Sequence, residues 1–405
     1  MKNKLSIKQT EASILTINSG SSSIKFALYH IDGQLERTLY GKVYRIGLKG
    51  TSLDFNNLTK KKKGNLRIEG SDRKSVTNFL IDWLEKQVDF SMISGVGHRV
   101  VFGMKYTEPE LITQKLLDEL HRIIPYDSDH LPAEIELIEV FSQRYPNLAQ
   151  VACFDTAFHS KMPRVAKLLP IPHRFDKDGI QRYGFHGLSY AYLLEELIRV
   201  AGKRVGKGRV IFAHLGNGAS LAAVHKGNSV DTSMGFTPAG GMVMGTRPGD
   251  LDPGVAWYMM KSENLTPKQF NNLINHESGL LGISETSSDM RDLLAKESDD
   301  IRAAEAVALF CYQAKKWIGS FAAVLGGLDV LVFAGGIGEN CPIVRSRICE
   351  GLGFLGIKLD ETANKKNNQI VSADKERVTV WVIHTDEELM IAKTVNQKLK
   401  LKNYK

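Results

Sequence analysis

Residues 14–29, ILTINSGSSSIKFALY, set Asn18 and Lys25 at the two edges of a turn built from Ser19, Gly20, Ser21, Ser22 and Ser23. Such small residues contribute little packing. The turn therefore reads either as a flexible connection or as a cradle where backbone amides and hydroxyls meet an anion. The same design returns at 214–218, where His214 precedes Leu215, Gly216, Asn217 and Gly218, and at 335–340, where GGIGEN follows the apolar run DVLVFA. Glycine permits close backbone approach and positive φ. One such turn says little; three, with lysine or histidine alongside, point to a ligand that carries phosphate. The familiar signatures are missing. GKRVGKG at 202–208 has the wrong spacing for a P-loop, and GGIGEN and GNGASL lack the last glycine of a dinucleotide fingerprint. Ser22-Ser23-Ile24-Lys25 matches S-x-x-K but has no K-T-G after it, and neither HExxH nor GxSxG occurs. The chain does not read as a common hydrolase.

The elements that must carry these turns follow from length and periodicity. At 405 residues the chain is too long for one core and suits two domains. With 43% apolar and 24% charged residues it reads as a soluble globular protein. No apolar run approaches the ~20 residues that span a bilayer, and MKNKLSIKQTEAS has no apolar signal core, so the cytoplasm is the expected location. Cys153, Cys311, Cys341 and Cys349 form no CxxC pair and read as packed thiols. The net charge of +8 is concentrated in Lys60–Lys63 and the tail KLKLKNYK without interleaved aromatics, which favours solvated surface over a nucleic-acid patch.

Strands are expected at 13–17, 24–31, 35–46, 92–102, 149–154 and 378–383, with Asp32-Gly33 as a hairpin turn. Residues 54–70 read as a polar excursion ending in a short strand, and 156–183 as a loop region. Helices are expected at 73–88, 111–123, 132–143, 187–201, 253–262, 266–276, 288–296, 299–325, 342–353 and 387–399. ILTINSGSSSIKFAL and IFAHLGNGASLAAV share one strand–turn–strand design, each reaching a second turn, at Asp32-Gly33 and at Lys226-Gly227-Asn228. The pair suggests a duplicated α/β domain, each half a sheet edged by helices.

A set of motifs then resembles the acetate kinase family. They are NSGSSSIK (18–25), GHRVVFG (97–103), CFDTAFH (153–159), RYGFHG (182–187), AHLGNGAS (213–220), DTSMGFTP (231–238), MGTRPGDLDP (244–253), SDMRDL (288–293), AGGIGEN (334–340) and TDEELMIA (385–392), in family order across almost the whole chain. The resemblance implies duplicated actin/ribonuclease H-like domains, each a mixed sheet flanked by helices, with an ATP cleft between them. Domain limits are expected at 11–157 with 388–405, and at 158–387. It also implies reversible ATP-dependent phosphorylation of acetate to acetyl phosphate, with Mg2+ (or Mn2+) as cofactor and a homodimer as the assembly. No nucleic-acid or membrane partner is implied.

By the same resemblance, Asn18 and Glu387, with Glu388 beside it, correspond to metal positions, and Lys25 to a contact with the ATP phosphates. Arg99 and Arg247 would flank the acceptor carboxylate and the travelling phosphoryl group, and His186 would bond that group's oxygens. Asp155 matches the family's essential acid, holding metal-bound water or orienting an arginine rather than abstracting a proton. His214, Leu215, Gly216, Asn217 and Gly218 would approach the phosphates. Asp289, Met290 and Arg291 would hold the adenosine end together with Gly336, Ile337, Gly338, Glu339 and Asn340. Val101, Asp129, Phe185 and Pro238 would line the acyl pocket. A carboxylate is already an anion at neutral pH, so positive charge and positioning matter more than a strong base.

Taken singly, each residue has a plainer reading. Arg99 and Arg247 could be surface ion-pair residues, His186 a core histidine, Asp155 and Asp289 caps, and Glu387 an acid favoured by a helix N-terminus. The stretch Tyr126-Asp127-Ser128-Asp129-His130-Leu131-Pro132 departs from the family's apolar LAPLHNP-like run, putting Asp129 where a leucine lines the acyl pocket. RYGFHGLSY and TPAGG also depart from the usual GTSH and TPLEG. An unpaired carboxylate there would be expensive to desolvate. Asp129 therefore turns outward, pairs with an arginine, or lines a more polar pocket. Propionate or another short acid is the alternative substrate; an actin-like nucleotide sensor without turnover is the alternative of another class.

Overall fold

The computed structural model describes residues 12–20, 22–70 and 72–401; Ser21 of the first turn, the segment 1–11 and residues 402–405 of the basic tail lie outside the described residues. The chain divides into two compact units, one running to Ala157 and resuming at Asp386, the other Phe158–Thr385. No helix among the described residues is long and apolar enough to cross a membrane.

In the first unit, β1 (Ala12–Ser19), β2 (Ile24–Asp32), β3 (Gln34–Tyr44), β4 (Ser52–Asn57), β5 (Lys62–Arg67), β6 (Ile93–Val100), β7 (Glu110–Leu111) and β8 (Gln150–Phe154) form one sheet in the order β5-β4-β3-β2-β1-β6-β8-β7. The first five strands make an antiparallel meander, and β6 and β8 join it in parallel. Alternation dictates the core. Leu15, Ile17, Phe26, Leu28, Leu39, Val43, Leu53 and Phe55 face Val76, Leu80, Ile81, Trp83 and Leu84 of the helix Arg73–Gln87. Trp83 packs against Phe26 and Phe55 with ring centroids 5.7 and 4.8 Å away. Each such apolar side chain, fully buried, contributes about 1.5–3 kcal/mol. The final helix, Glu387–Leu399, lies on β6 where glycines leave room. A Cβ on Gly97 would stand 2.4 Å from Ile391 Cγ2, and one on Gly95 2.5 Å from Leu399 Cδ1.

The second unit contains β9 (Arg209–Leu215), β10 (Ala219–His225), β11 (Asn228–Thr232), β12 (Val330–Ala334) and β13 (Thr379–Val382) in the order β11-β10-β9-β12-β13. Here too an antiparallel trio is extended by two parallel strands. The order matches β3-β2-β1-β6-β8 strand for strand, the duplicated actin/ribonuclease H-like arrangement. Lys226 and Gly227, with φ of 54° and 79°, make the tight hairpin turn between β10 and β11. Tyr190, Leu193 and Leu197 of the helix Gly187–Ala201 pack on Val210, Phe212, Val330, Val332 and Trp381. The long helix Ile301–Val324 packs on β9 and β10.

Four expectations are corrected. Residues 54–70 belong to a hairpin of two strands, β4 and β5. β5 reads as polar because it is the sheet's exposed edge, where lysines discourage pairing with another chain. The region 156–183 carries short helices at Arg164–Lys167 and His173–Lys177. Residues 335–340 form a helix, Gly335–Asn340, not an open loop. Gly335, at φ 77°, turns the chain out of β12, and the Glu339 carboxylate accepts the Gly335 N–H at 2.9 Å. The helix expected over 342–353 stops at Cys349, and Gly351 follows with φ of 77°.

Candidate active site

The first unit gathers its charged candidates at the C-terminal ends of β1, β6 and β8, the usual place for ligands in parallel α/β sheets. Asn18 ends β1 and is buried. Its Nδ2 donates to Glu387 Oε2 at 2.7 Å and to Glu388 Oε1 at 3.0 Å. Those carboxylates open the final helix, capped by Asp386, whose Oδ1 accepts the Leu389 N–H at 2.9 Å. The plainer reading of Glu387 as a helix N-terminal acid therefore also holds. Lys25 on β2 reaches to 3.9 Å from Glu388 Oε1, and that carboxylate is the main reason its ammonium is held above the ordinary value.

Arg99, on β6, is committed to Asp155, the residue that follows β8. Its Nε and Nη2 donate to Asp155 Oδ2 at 3.1 and 2.6 Å. The Asp155 side chain is 1% exposed and that of Arg99 14%. Burial opposes the Arg99 charge, but the Asp155 and Glu387 carboxylates outweigh it and hold the guanidinium above its ordinary value. Nη1 points back to the first turn, 3.4 Å from the Ser19 carbonyl oxygen and 3.5 Å from Asn18 Oδ1. The same turn is tied from the other side by Arg73, which donates to Ser19 Oγ at 2.8 Å and to the Gly20 carbonyl at 2.7 Å. The small residues of the opening stretch thus have two guanidinium groups at their backbone.

Val101 is buried just beyond β6, and Glu134 takes its N–H. Asp129 is half-buried in the turn before the helix Leu131–Arg144, without an arginine partner among the described residues. The buried acids of this stretch are Asp127 and Glu134.

The second unit brings together His186, His214, the 214–218 turn and Arg247. His186 sits at φ 58° in the residue before the helix Gly187–Ala201, a left-handed setting that costs a non-glycine residue energy and often marks function. Its ring stacks on His214 with centroids 4.4 Å apart. Ser220 engages His186 Nδ1 at 2.8 Å, and Ser189 engages His214 Nδ1 at 2.8 Å. Both rings are thereby fixed with Nε2 toward the turn. A Cβ on Gly218 would lie 3.2 Å from His186 Nε2 and 2.9 Å from Arg247 Nη2. The absence of a side chain at 218 is what lets imidazole and guanidinium share that ground.

Arg247 belongs to a loop with little freedom. Met244 N–H donates to the Arg247 carbonyl at 2.9 Å, and Gly245 N–H to the Asn217 carbonyl at 2.9 Å. Leu280 and Leu281 N–H groups donate to the carbonyls of Met244 and Gly245, each at 2.9 Å, and Arg247 Nη1 to the Pro238 carbonyl at 2.8 Å. Pro238 and Phe185 are buried, as an apolar lining requires. Gly218→Ala is expected to push both side chains aside and lower turnover by about tenfold with little change in melting temperature. Steady-state kinetics beside thermal unfolding would check it, and unchanged turnover would show the two groups act elsewhere.

The helix Gly335–Asn340 packs on the same turn: a Cβ on Gly335 would meet the Leu215 backbone at 2.7–3.0 Å. Gly336 offers its N–H near Gly216, while Ile337 and Gly338 complete the turn of helix. Glu339 works internally, tying Gly335 N–H to Thr385 N–H and to His384. Asn340 donates to the Gly336 carbonyl. Asp289, Met290 and Arg291 form a separate group. Asp289 caps the helix Met290–Lys296 and pairs with the exposed Arg291 at 2.6 Å, while Met290 is buried.

Some contributors have no sequence signal. Arg345, fully buried, donates to the carbonyls of Gly338 and Glu339 and to Asn364, so it clamps the end of the Gly335–Asn340 helix without a carboxylate partner among the described residues. Ser189 and Ser220, which orient the two histidines, lie within the expected helix and strand and read as ordinary residues there.

A model of the acetokinase family matches residues 13–393. An acetate kinase of Rhodopseudomonas palustris is 42% identical over 388 residues, covering 94% of this chain and 97% of that one. Similar solved structures include the following two. That of Porphyromonas gingivalis acetate kinase has a TM-score of 0.84 at 35% identity, covering 96% of this chain and 100% of that one. That of a Francisella tularensis propionate kinase has a TM-score of 0.87 at 36% identity, covering 95% and 98%.

Proposed function

The chain belongs to the acetokinase family, and from that premise we propose that it phosphorylates acetate with ATP and runs the reverse reaction to make ATP from acetyl phosphate. The observation that carries the reading is the setting of its two guanidinium groups, Arg99 fixed on Asp155 and Arg247 on the Pro238 carbonyl. In the forward direction an acetate oxygen forms a bond to the γ-phosphorus as the bond to the ADP oxygen breaks. Both partners are anions, so the protein's task is to hold and neutralise charge.

Arg99 holds the incoming carboxylate, and Asp155 keeps Arg99 in place. Arg247 and His186 Nε2 stabilise the equatorial oxygens of the moving phosphoryl group. Lys25, His214 and the amides of Gly216–Gly218 take the nucleotide phosphates, and Asp289–Arg291 with Gly336–Asn340 take the adenosine end. Val101, Phe185 and Pro238 face the acyl group. No acid near the acceptor has to remove a proton, because acetate has none to give.

The donors Asn18, Glu387 and Glu388 suit a hard divalent cation such as Mg2+ or Mn2+. The Asn18 amide already bonds both carboxylates through its Nδ2, which gathers one amide oxygen and two carboxylates at one place. Among the described residues no group of three acids, histidines or cysteines forms a full cage. Mg2+ characteristically takes only one or two carboxylates and completes its shell with water and substrate phosphate. Held by these residues, such a cation would supply positive charge to offset that of the nucleotide phosphates. Trapping acetyl phosphate as the hydroxamate tests the function. Product should form with ATP, acetate and Mg2+ and vanish when the cation is chelated; nucleotide binding without product from any acid would favour the sensor instead.

The reading includes a cytoplasmic homodimer. In support, the helix Pro253–Ser262 buries none of its residues and leaves Trp257 and Tyr258 each 70% exposed, beside Leu251 and Val255. Such a patch commonly marks an interface. Sedimentation is expected at twice the 45.0 kDa chain mass, and Trp257→Glu should return the protein to the monomer. A wild-type monomer would remove the dimer from the account.

A further inference from the structure

Two acids that phosphoryl transfer does not use lie on the acceptor side of the first unit. Glu134, in the first turn of the helix Leu131–Arg144, is 3% exposed. Its Oε2 accepts the Val101 N–H at 3.0 Å, while Oε1 is enclosed without a partner among the described residues. Asp127 is 6% exposed. Its Oδ1 shares a 2.8 Å hydrogen bond with His130 Nδ1, and its Oδ2 is likewise enclosed without a partner. Asp127, His130 and Glu134 recur at helical spacing, and the Leu131 and Glu134 N–H groups bond back to the Asp127 and His130 carbonyls. Asp127 and His130 lie in the turn that leads into the helix and Glu134 in its first turn, and the Asp127 charge acts on Glu134. Arg99, the cation that Glu134 senses most strongly, already has its bidentate partner in Asp155.

A buried carboxyl oxygen without a partner is costly. Two of them, Glu134 Oε1 beside the backbone of a pocket residue and Asp127 Oδ2 in the stretch leading into the same helix, would be satisfied by a hydrogen-bonding ligand group. A methyl or ethyl group offers none. We propose that Glu134 and Asp127 line the acyl end of the acceptor site, which takes short carboxylic acids bearing a hydroxyl on the carbon next to the carboxylate in preference to longer plain alkyl acids. The inference rests on the reading that Arg99 and Val101 flank the acceptor acid. Acetate enters the same site with a water in the hydroxyl's place.

Burial pushes the Glu134 carboxyl up to about 8, with Arg99 opposing and the Asp127 charge adding to the rise. Near pH 7 it is a neutral acid that can donate from Oε1. A hydroxyl, both donor and acceptor, matches the pair Glu134–Asp127 better than an ammonium group, which would call for an ionised Glu134. The phosphoryl group still goes to the carboxylate oxygen, and the hydroxyl is not consumed.

The test is a hydroxamate panel with acetate, glycolate, propionate and glycine at pH 7, run on the wild type, Glu134→Gln, Glu134→Leu and Asp127→Asn. The wild type should show kcat/KM for glycolate at least about tenfold above propionate, with glycine near background. Glu134→Gln, which keeps the shape and a hydrogen bond, should stay within a few fold of that ratio. Glu134→Leu should lower it at least about tenfold while the KM for ATP holds. A wild type that prefers propionate, or a ratio unmoved by Glu134→Leu, overturns the proposal. If Glu134→Leu fails to fold, the ratio in Asp127→Asn decides, a fall supporting the proposal and no change overturning it. Absence of hydroxamate from every acid would instead strike at the carboxylate-kinase reading, and this inference would fall with it.

Discussion

Arg247→Ala is expected to lower kcat by about a thousandfold while the affinity for ATP changes by no more than a few fold. The size follows from what the side chain is asked to do. A fixed donor aimed at charge that develops only in the transition state contributes to the barrier and not to ground-state binding, and removing one such donor costs about a hundred- to a thousandfold. An arginine serving a transferring phosphoryl group lies at or above the upper end. Arg247 meets the requirement of being fixed beforehand. Its backbone is closed by Met244, its neighbours by Leu280 and Leu281, and one of its donors by the Pro238 carbonyl. A second guanidinium nitrogen, Nη2, lies by Gly218 and His186 Nε2. Because alanine leaves those backbone bonds in place, the fold should be untouched. Turnover and nucleotide titration measured side by side decide the matter, and a loss that falls on ATP binding instead would make Arg247 a phosphate anchor.

The second large effect is expected at Asp155. Asparagine has nearly the same shape but no charge, so Asp155→Asn leaves the Arg99 guanidinium buried without its counter-ion. Breaking one side of a buried pair costs about 3–5 kcal/mol. Both side chains are well enclosed, so solvent does little to offset the loss. The variant should melt well below the wild type, and its kcat/KM for acetate should fall by at least about a hundredfold as Arg99 loses its orientation. The residual activity should show no new rise with pH, since no proton is removed by Asp155. A variant of normal stability with a rate rescued at high pH would mean that Asp155 is a base after all.

How much of this was legible beforehand depends on the residue. The hairpins were, because alternation in ILTIN and IKFAL and the turns at Gly33 and Gly227 leave few alternatives. Their recurrence made the duplication readable, and the identical strand order bears it out. β5 was not: an edge strand of lysine, glycine and asparagine has no buried face to leave a pattern. The helix at 335–340 was hidden because glycine is a poor helix former. What holds it there is tertiary, the Glu339 carboxylate at its start and the Arg345 guanidinium at its end. Arg345 itself sits in PIVRSRIC like any surface arginine, and only its bonds to Asn364 and to backbone carbonyls reveal it.

The acyl end shows the same limit. The sequence drew attention to Asp129 as the acid in the wrong place, yet that residue is half-buried in a turn. The enclosed acids are its neighbours Asp127, two residues before it, and Glu134, five after. Helical phase, which depends on where the helix begins, decides that Glu134 turns inward, while Asp127 is buried in the stretch before the helix. A start at Leu131 puts Glu134 on the face of Leu131 and Ile138, toward the sheet.

Underlying every assignment is the claim that the acceptor carboxylate itself attacks phosphorus, with fixed cations quieting the repulsion and no covalent phosphoenzyme between. The most direct measurement is the stereochemical course with ATP made chiral at the γ-phosphorus by oxygen isotopes. A single in-line displacement predicts acetyl phosphate with inverted configuration. Retention would require two displacements through a protein nucleophile, and would contradict the account.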